Sequence, residues 1–261
     1  MHRSACQRFV SSASAPGGFT FIELLAVIVM VTVLAALLLP ALGKAREQGR
    51  ASVCRSNMRQ IALAMTLYAD DNIDYLPWPG DVDRNWQPDW VFGGQADTYP
   101  ARPELWKSSG FGLHAESGSI FSYASGLPRV LPHRDNYLGT FRIYRCPSTG
   151  PLGEALRVNF SMNEELDPTT DLTTAFPEGV KIANVVGPTQ KILLVNEDPA
   201  TMRNASFKPQ GTSLNGRFVV HDGRVNVGFI DGHLEAMKNR KVRDIQTGSE
   251  QRRYFDPYFR H

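Results

Sequence analysis

The chain has 261 residues, of which 42% are hydrophobic and 21% charged, values that fit a folded protein and exclude a disordered or fibrous one. Its 28 Lys and Arg nearly balance 26 acids, a formal charge of +2, which excludes nucleic-acid binding through bulk charge. Three cysteines are too few for a disulfide scaffold, and no Cys-x-x-Cys pair points to zinc or redox chemistry.

Residues 1–18 carry Arg3 and Arg8, no acid, and a Ser/Ala-rich stretch that ends in Pro16-Gly17-Gly18. From Phe19 to Leu42 follow 24 residues with Glu23 as the one formal charge. At about 1.5 Å per residue this run makes a helix of roughly 36 Å, enough to cross a hydrocarbon core of about 30 Å. A buried core helix rarely stays apolar on every face for that length, so the run is read as a membrane span. An ordinary secretory signal places its small-residue cleavage site after the apolar run; here the small residues come before it.

Gly18-Phe19-Thr20-Phe21-Ile22-Glu23-Leu24-Leu25 resembles the cleavage and N-methylation motif of type IV prepilins and type II secretion pseudopilins. The resemblance implies that a prepilin peptidase, a membrane-embedded aspartic enzyme, cuts after Gly18 and methylates Phe19. Glu23 then stands fifth in the mature chain and Pro40 twenty-second, as that family has them. A carboxylate within a bilayer costs several kcal/mol unless paired. The span holds no cation, which leaves the Phe19 amine, of this chain or a neighbour, or a protonated Glu23. The resemblance favours the neighbour. Pro40 lacks an N–H and is expected to kink or locally melt the helix. Beyond the span, Lys44, Arg46, Arg50, Arg55 and Arg59 outnumber the basic residues ahead of it. A positive-inside count alone would put the carboxyl terminus in the cytoplasm, whereas the prepilin motif implies the reverse, and the motif is followed here.

Cys54, Met58, Ile61, Met65 and Tyr68 recur at spacings of 4, 3, 4 and 3, one face of a helix. One helix from about Phe19 to about Tyr68 is therefore expected, the second half packed on a soluble domain; Gly43 and Gly49 weaken the join. Asp70-Asp71-Asn72-Ile73-Asp74 is where it should stop, since acids are disfavoured at a helix carboxyl end. The run is similar to the start of an EF-hand loop, but Tyr75 replaces its glycine and Asp81 its final glutamate. Solvated turn carboxylates are expected there, not calcium, and no other cofactor or metal is expected.

Trp78, Trp86, Trp90 and Trp106 fall within 29 residues of a Pro- and Gly-rich stretch. They are expected to cover a small core, with stacking on sugars as the other use of such a cluster. Cys6 would leave with the leader. Cys54 and Cys146 would lie outside the cytoplasm, where a disulfide closing a loop of about 90 residues and a pair of buried thiols are both compatible with the sequence.

Lys191–Glu197 reads as a buried strand that ends in polar groups. Farther on, Asp222-Gly223 and Asp231-Gly232 punctuate alternating segments, which predicts a three-strand meander over 218–221, 224–230 and 233–237. His221, nine residues and Asp231-Gly232 resemble the carboxyl-terminal motif of a pilin-like family that also carries a prepilin amino terminus. In the meander His221 and Asp231 sit at opposite ends of the middle strand, about 20–25 Å apart. They cannot share an ion, so His221, Asp231 and Gly232 are read as structural turn positions.

The expected fold is α+β and pilin-like: a leader (1–18), a membrane helix (19–42), its amphipathic continuation (43–70) and an extracytoplasmic domain (71–261) with a small antiparallel sheet and long loops. The expected function is non-enzymatic, a subunit of a type IV pilus or type II secretion pseudopilus. The resemblance implies prepilin peptidase, other pilin or pseudopilin subunits, an assembly platform and membrane lipid as partners, without nucleic acid. The alternative is a membrane-anchored binding domain, for glycans through the tryptophans, that uses the helix for export.

Overall fold

The computed structural model describes residues 18, 20–79, 88–91, 114–131, 141–167, 179–202, 205–207 and 220–260. The chain divides into two units, residues 1–45 and 46–261.

Helix α1 spans Phe21–Asp71. Thr20 and Glu23 start it as a reciprocal cap. The Thr20 N–H and Oγ1 donate to Glu23 Oε2 at 2.8 and 2.7 Å, and the Glu23 N–H donates to Thr20 Oγ1 at 3.3 Å. None of the apolar window in the first unit is buried, and the helix is long and apolar enough to cross a membrane. It continues through Pro40, Gly43 and Gly49, so the local melting expected at Pro40 does not occur.

In the second unit α1 turns one face inward. Cys54, Met58, Ile61 and Met65 are fully buried, while Arg55, Arg59 and Gln60 stay exposed. The helix stops where the acids begin. Asp74 N–H returns to the Ala69 carbonyl at 2.8 Å, and Ile73 and Asp74 take positive φ of 56° and 69°. The Asp71 carboxylate accepts from the Tyr123 hydroxyl and that of Asp74 from the Ala183 N–H, both at 2.8 Å.

Two short helices follow, α2 (Phe121–Ser125) and α3 (Gly150–Leu156). The sheet comprises β1 (Ser161–Asn163), β2 (Ile192–Val195), β3 (Ser206–Phe207), β4 (Arg224–Phe229) and β5 (Leu234–Lys238), in the order β3-β1-β2-β4-β5. It is mixed, not purely antiparallel, because β3 runs parallel to β1. Helices α4 (Asn239–Thr247) and α5 (Gln251–Phe255) complete the chain. Of the first expected meander strand only Val220 and His221 are among the described residues, and His221 bridges to Arg224. The other two strands form as β4 and β5.

The sheet separates two cores. On one face α1 packs with Phe160, Met162, Leu193, Leu194, Trp90 and Tyr144. On the other, Ile192, Val195, Val225, Val227 and Phe229 meet Val242, Ile245 and Phe255 of α4 and α5. The period-2 alternation of β4 sends Asn226 and Gly228 toward α1, and a Cβ at Gly228 would lie 3.5 Å from Met58 Cε. A bulge in β2 places two residues opposite one on β4, since Ile192 faces Phe229 and Leu194 faces Gly228. Just before β2, buried Lys191 donates from Nζ to the carbonyls of Arg253 (2.7 Å) and Phe259 (3.3 Å), which satisfies acceptors in and just beyond α5.

Candidate functional site

Two arrangements carry chemistry. The first is the head of α1, where Gly18 is exposed, Phe19 lies outside the described residues and the Glu23 carboxylate is held by Thr20. The rest of the expected leader, residues 1–17, also lies outside the described residues.

The second is buried in the second unit. Cys54 of α1, Cys146 of the loop before α3 and His221 of the turn before β4 bring Sγ, Sγ and an imidazole nitrogen within 4.8 Å of one another. Cys146 Sγ lies 3.3 Å from His221 Nε2, and His221 Nδ1 lies 2.8 Å from Glu47 Oε1. Both cysteines are free thiols. Cys54 donates to Asn196 Oδ1 at 3.3 Å, and Asn196 Nδ2 in turn donates to the Asn159 carbonyl at 3.0 Å.

Each member is positioned by its own local chemistry. Glu47 lies seven residues before Cys54, two turns back on the same helix face. Its carboxylate also accepts from Ser148 Oγ at 2.8 Å and pairs with Arg50 at 2.8 Å. The Cys146 loop is tied to α1 by Asn57, whose Nδ2 donates to the carbonyls of Arg142 and Arg145, both at 2.8 Å. Asn159 Oδ1 accepts from the Cys146 N–H at 2.9 Å. His221 is set by a two-residue turn: Asp222 and Gly223 take φ of 47° and 76°, and His221 and Arg224 exchange backbone hydrogen bonds across it. An Asp-Gly pair suits such a turn because both central residues need positive φ.

The cluster polarises its members in opposite directions. Burial pushes the Cys54 thiol up, and hydrogen bonding to Cys146 pushes it further. Cys146 goes down, first through its interaction with the neighbouring Cys54 thiol and then through His221, against the effect of burial. Burial opposes a charged His221, yet contacts with Cys146 and Glu47 outweigh it and raise the imidazole. Burial likewise opposes a charged Glu47, and hydrogen bonds from His221, Ser148 and Arg50 outweigh it. One sulfur is thereby readied to be a thiolate beside an imidazole oriented by a carboxylate.

Cys54 and Cys146 thus meet as the sequence allowed, but His221 has more than its turn role, because its ring joins them. Asp231 does not reach them. It lies past the other end of β4, where it accepts from the His233 N–H at 3.2 Å while Gly232 takes φ of 87°. Sequence reasoning missed Glu47, Asn196 and Asn226; the seven-residue spacing of Glu47 and Cys54 was the available signal. Trp90 is fully buried and donates from Nε1 to the Ala205 carbonyl at 3.1 Å, and Trp78 is buried too. Neither offers an open face on which a sugar could stack. Trp86 and Trp106 lie outside the described residues.

Residues 43–181, more than half of the chain, match the family described as SBP_bac_10, protein of unknown function (DUF1559). That range includes Glu47, Cys54 and Cys146. Over 58 residues the chain is 36% identical to the type II secretion system core protein G of Pseudomonas aeruginosa, which covers 22% of this chain. The match spans 41% of that relative's length. No solved structure matches the chain.

Proposed function

Since the chain belongs to the family described as protein of unknown function (DUF1559) and opens on an exposed apolar helix capped by Thr20 and Glu23, we propose that it is a pilin-like structural subunit. It is cleaved after Gly18 by a prepilin peptidase, methylated on Phe19 and assembled with other pilin or pseudopilin subunits by a secretion or pilus platform. The observation that carries this reading is the capped apolar helix itself. Twenty-odd exposed apolar residues need lipid or other helices around them, and a single acid at their head needs a partner.

Similarity to a type II secretion core protein supports the same class. The Glu23 carboxylate is held by Thr20 at the head of the exposed helix, and its proposed partner is the methylated Phe19 amine of a neighbouring subunit. Moving the helix from lipid into a filament brings little hydrophobic gain, because acyl chains are as apolar as leucine. Packing and this charge pairing would therefore supply the driving force and the register. Copies repeating head to tail build an open helical fibre. The work is mechanical, not catalytic, with the amino end cytoplasmic and residues beyond the span outside.

Mass spectrometry of the chain extracted from membranes tests this. The expected amino terminus is N-methylated Phe19, and an intact Met1 in the membrane fraction would overturn the proposal. Glu23→Ala is expected to be cleaved normally yet to give a lower yield of filaments or subunit cross-links. An unchanged yield would remove the pairing role of Glu23.

A further inference from the structure

We propose that Cys54, Cys146 and His221 form a binding site for one divalent thiophilic metal ion, zinc being the best fit. The inference is independent of how the chain is assembled.

Three donors from distant parts of the chain converge within 4.8 Å with little solvent access. Tetrahedral zinc with bonds of about 2.3 Å to sulfur and 2.0–2.1 Å to nitrogen needs donor separations of roughly 3.5–3.8 Å. The 3.3 Å between Cys146 Sγ and His221 Nε2 meets this with a shift of a few tenths of an ångström. Two thiolates and an imidazole are soft and borderline ligands that suit zinc and disfavour magnesium or calcium. Two thiolates also neutralise a divalent ion, as a buried centre requires.

The surroundings are those of a ligand set. His221 presents Nε2 to the sulfurs while Nδ1 is held by Glu47, the carboxylate–histidine pairing that fixes tautomer and ring orientation at metal centres. Glu47 is itself fixed by Ser148 and Arg50. Asn196 Oδ1, 3.3 Å from Cys54 Sγ and oriented by its bond to Asn159, is placed to complete four-coordination. Asn226 belongs to the same surroundings. The residue is 2% exposed and its amide faces Cys54, where it favours the thiolate form of that sulfur. A donor aimed at a ligating sulfur is the kind of outer contact that stabilises a metal-bound thiolate. On binding, two protons leave to solvent, one from the Cys54 thiol and one from the Cys146–His221 pair, so that both sulfurs are thiolates and His221 is neutral with its Nδ1–H donated to Glu47; no electron is transferred.

The test uses the full-length chain in detergent. Titration with cobalt(II) should give one equivalent per chain, with a thiolate charge-transfer band that zinc then displaces. X-ray absorption on the zinc-loaded wild type should find two sulfur neighbours. Cys146→Ser should abolish the band. Glu47→Gln, which keeps all three ligands, should weaken affinity about 10- to 100-fold. Three results would overturn the proposal: uptake no greater than that of a Cys54→Ser/Cys146→Ser chain, a zinc shell without sulfur, or peptide mapping that finds Cys54 and Cys146 joined as a disulfide in the chain isolated without reductant.

Discussion

At Gly118 a methyl group would land 1.9 Å from the Trp90 carbonyl oxygen and 2.7 Å from its carbon, atoms of a backbone that is buried and hydrogen-bonded to Trp78. At Gly49, on the exposed side of α1, the same methyl would meet nothing within 4 Å. One substitution therefore has opposite signs at two sites. Gly118→Ala should destabilise the second unit by roughly 3 kcal/mol. Gly49→Ala should stabilise α1 by about 0.5–1 kcal/mol through helix propensity. Thermal unfolding of both variants, followed by tryptophan fluorescence in detergent, reads the difference, and equal midpoints would contradict it. At this scale the sequence was only partly legible. A turn role for His221 follows from the Asp-Gly pair after it, but a turn signal says nothing about where the preceding side chain goes. The direction of the imidazole depends on Glu47, 174 positions away.

Helix α1 was legible because its pattern is long and periodic: of the five positions the spacing marks, 54, 58, 61 and 65 are buried and Tyr68 is partly so, with Ala62, Ala64 and Ala69 buried beside them. Ile61→Ala should cost about 2–5 kcal/mol, since the side chain is fully buried in the first core. Leu63→Ala, at a position that remains 57% exposed, should cost less than about 0.5 kcal/mol. Urea unfolding of the two variants separates them; similar midpoints would mean that α1 does not pack by this face. The Asp-Gly hairpin of β4 and β5 was equally legible. Strands β1 and β3 were not, because two or three residues are too short to show alternation, and their parallel pairing is set by distant contacts. The bulge in β2 was hidden for a related reason. A continuous apolar run reads the same whether or not one residue slips, so the split of Ile192 and Leu194 between the two cores leaves no mark on composition.

At the scale of the whole molecule, the thiol–imidazole cluster couples three remote segments, and Asn57 is the tie between helix and loop. Asn57→Ala leaves the Arg142 and Arg145 carbonyls without their donor, which should cost about 1 kcal/mol. It should also speed alkylation of Cys146 in the metal-free chain while Cys54 stays slow. Equal protection of Cys146 in wild type and variant would show that the loop is held by other contacts. Class and architecture were readable from patterns local to the two ends of the chain. The cluster was not, because convergence of residues 47, 54, 146 and 221 is a property of the folded topology.

Lys191 has a consequence of its own. Its ammonium group is sequestered beneath the carboxyl-terminal segment and bound to carbonyls of Arg253 and Phe259, so it is one of the fastenings, with the bond from Asn163 to the Phe255 carbonyl, that clasp the last stretch of chain to the sheet. Acylation of that amine would require the clasp to open first, and once acylated it could not close again. A transient loosening at the far end of the chain would in this way be written permanently into its covalent structure.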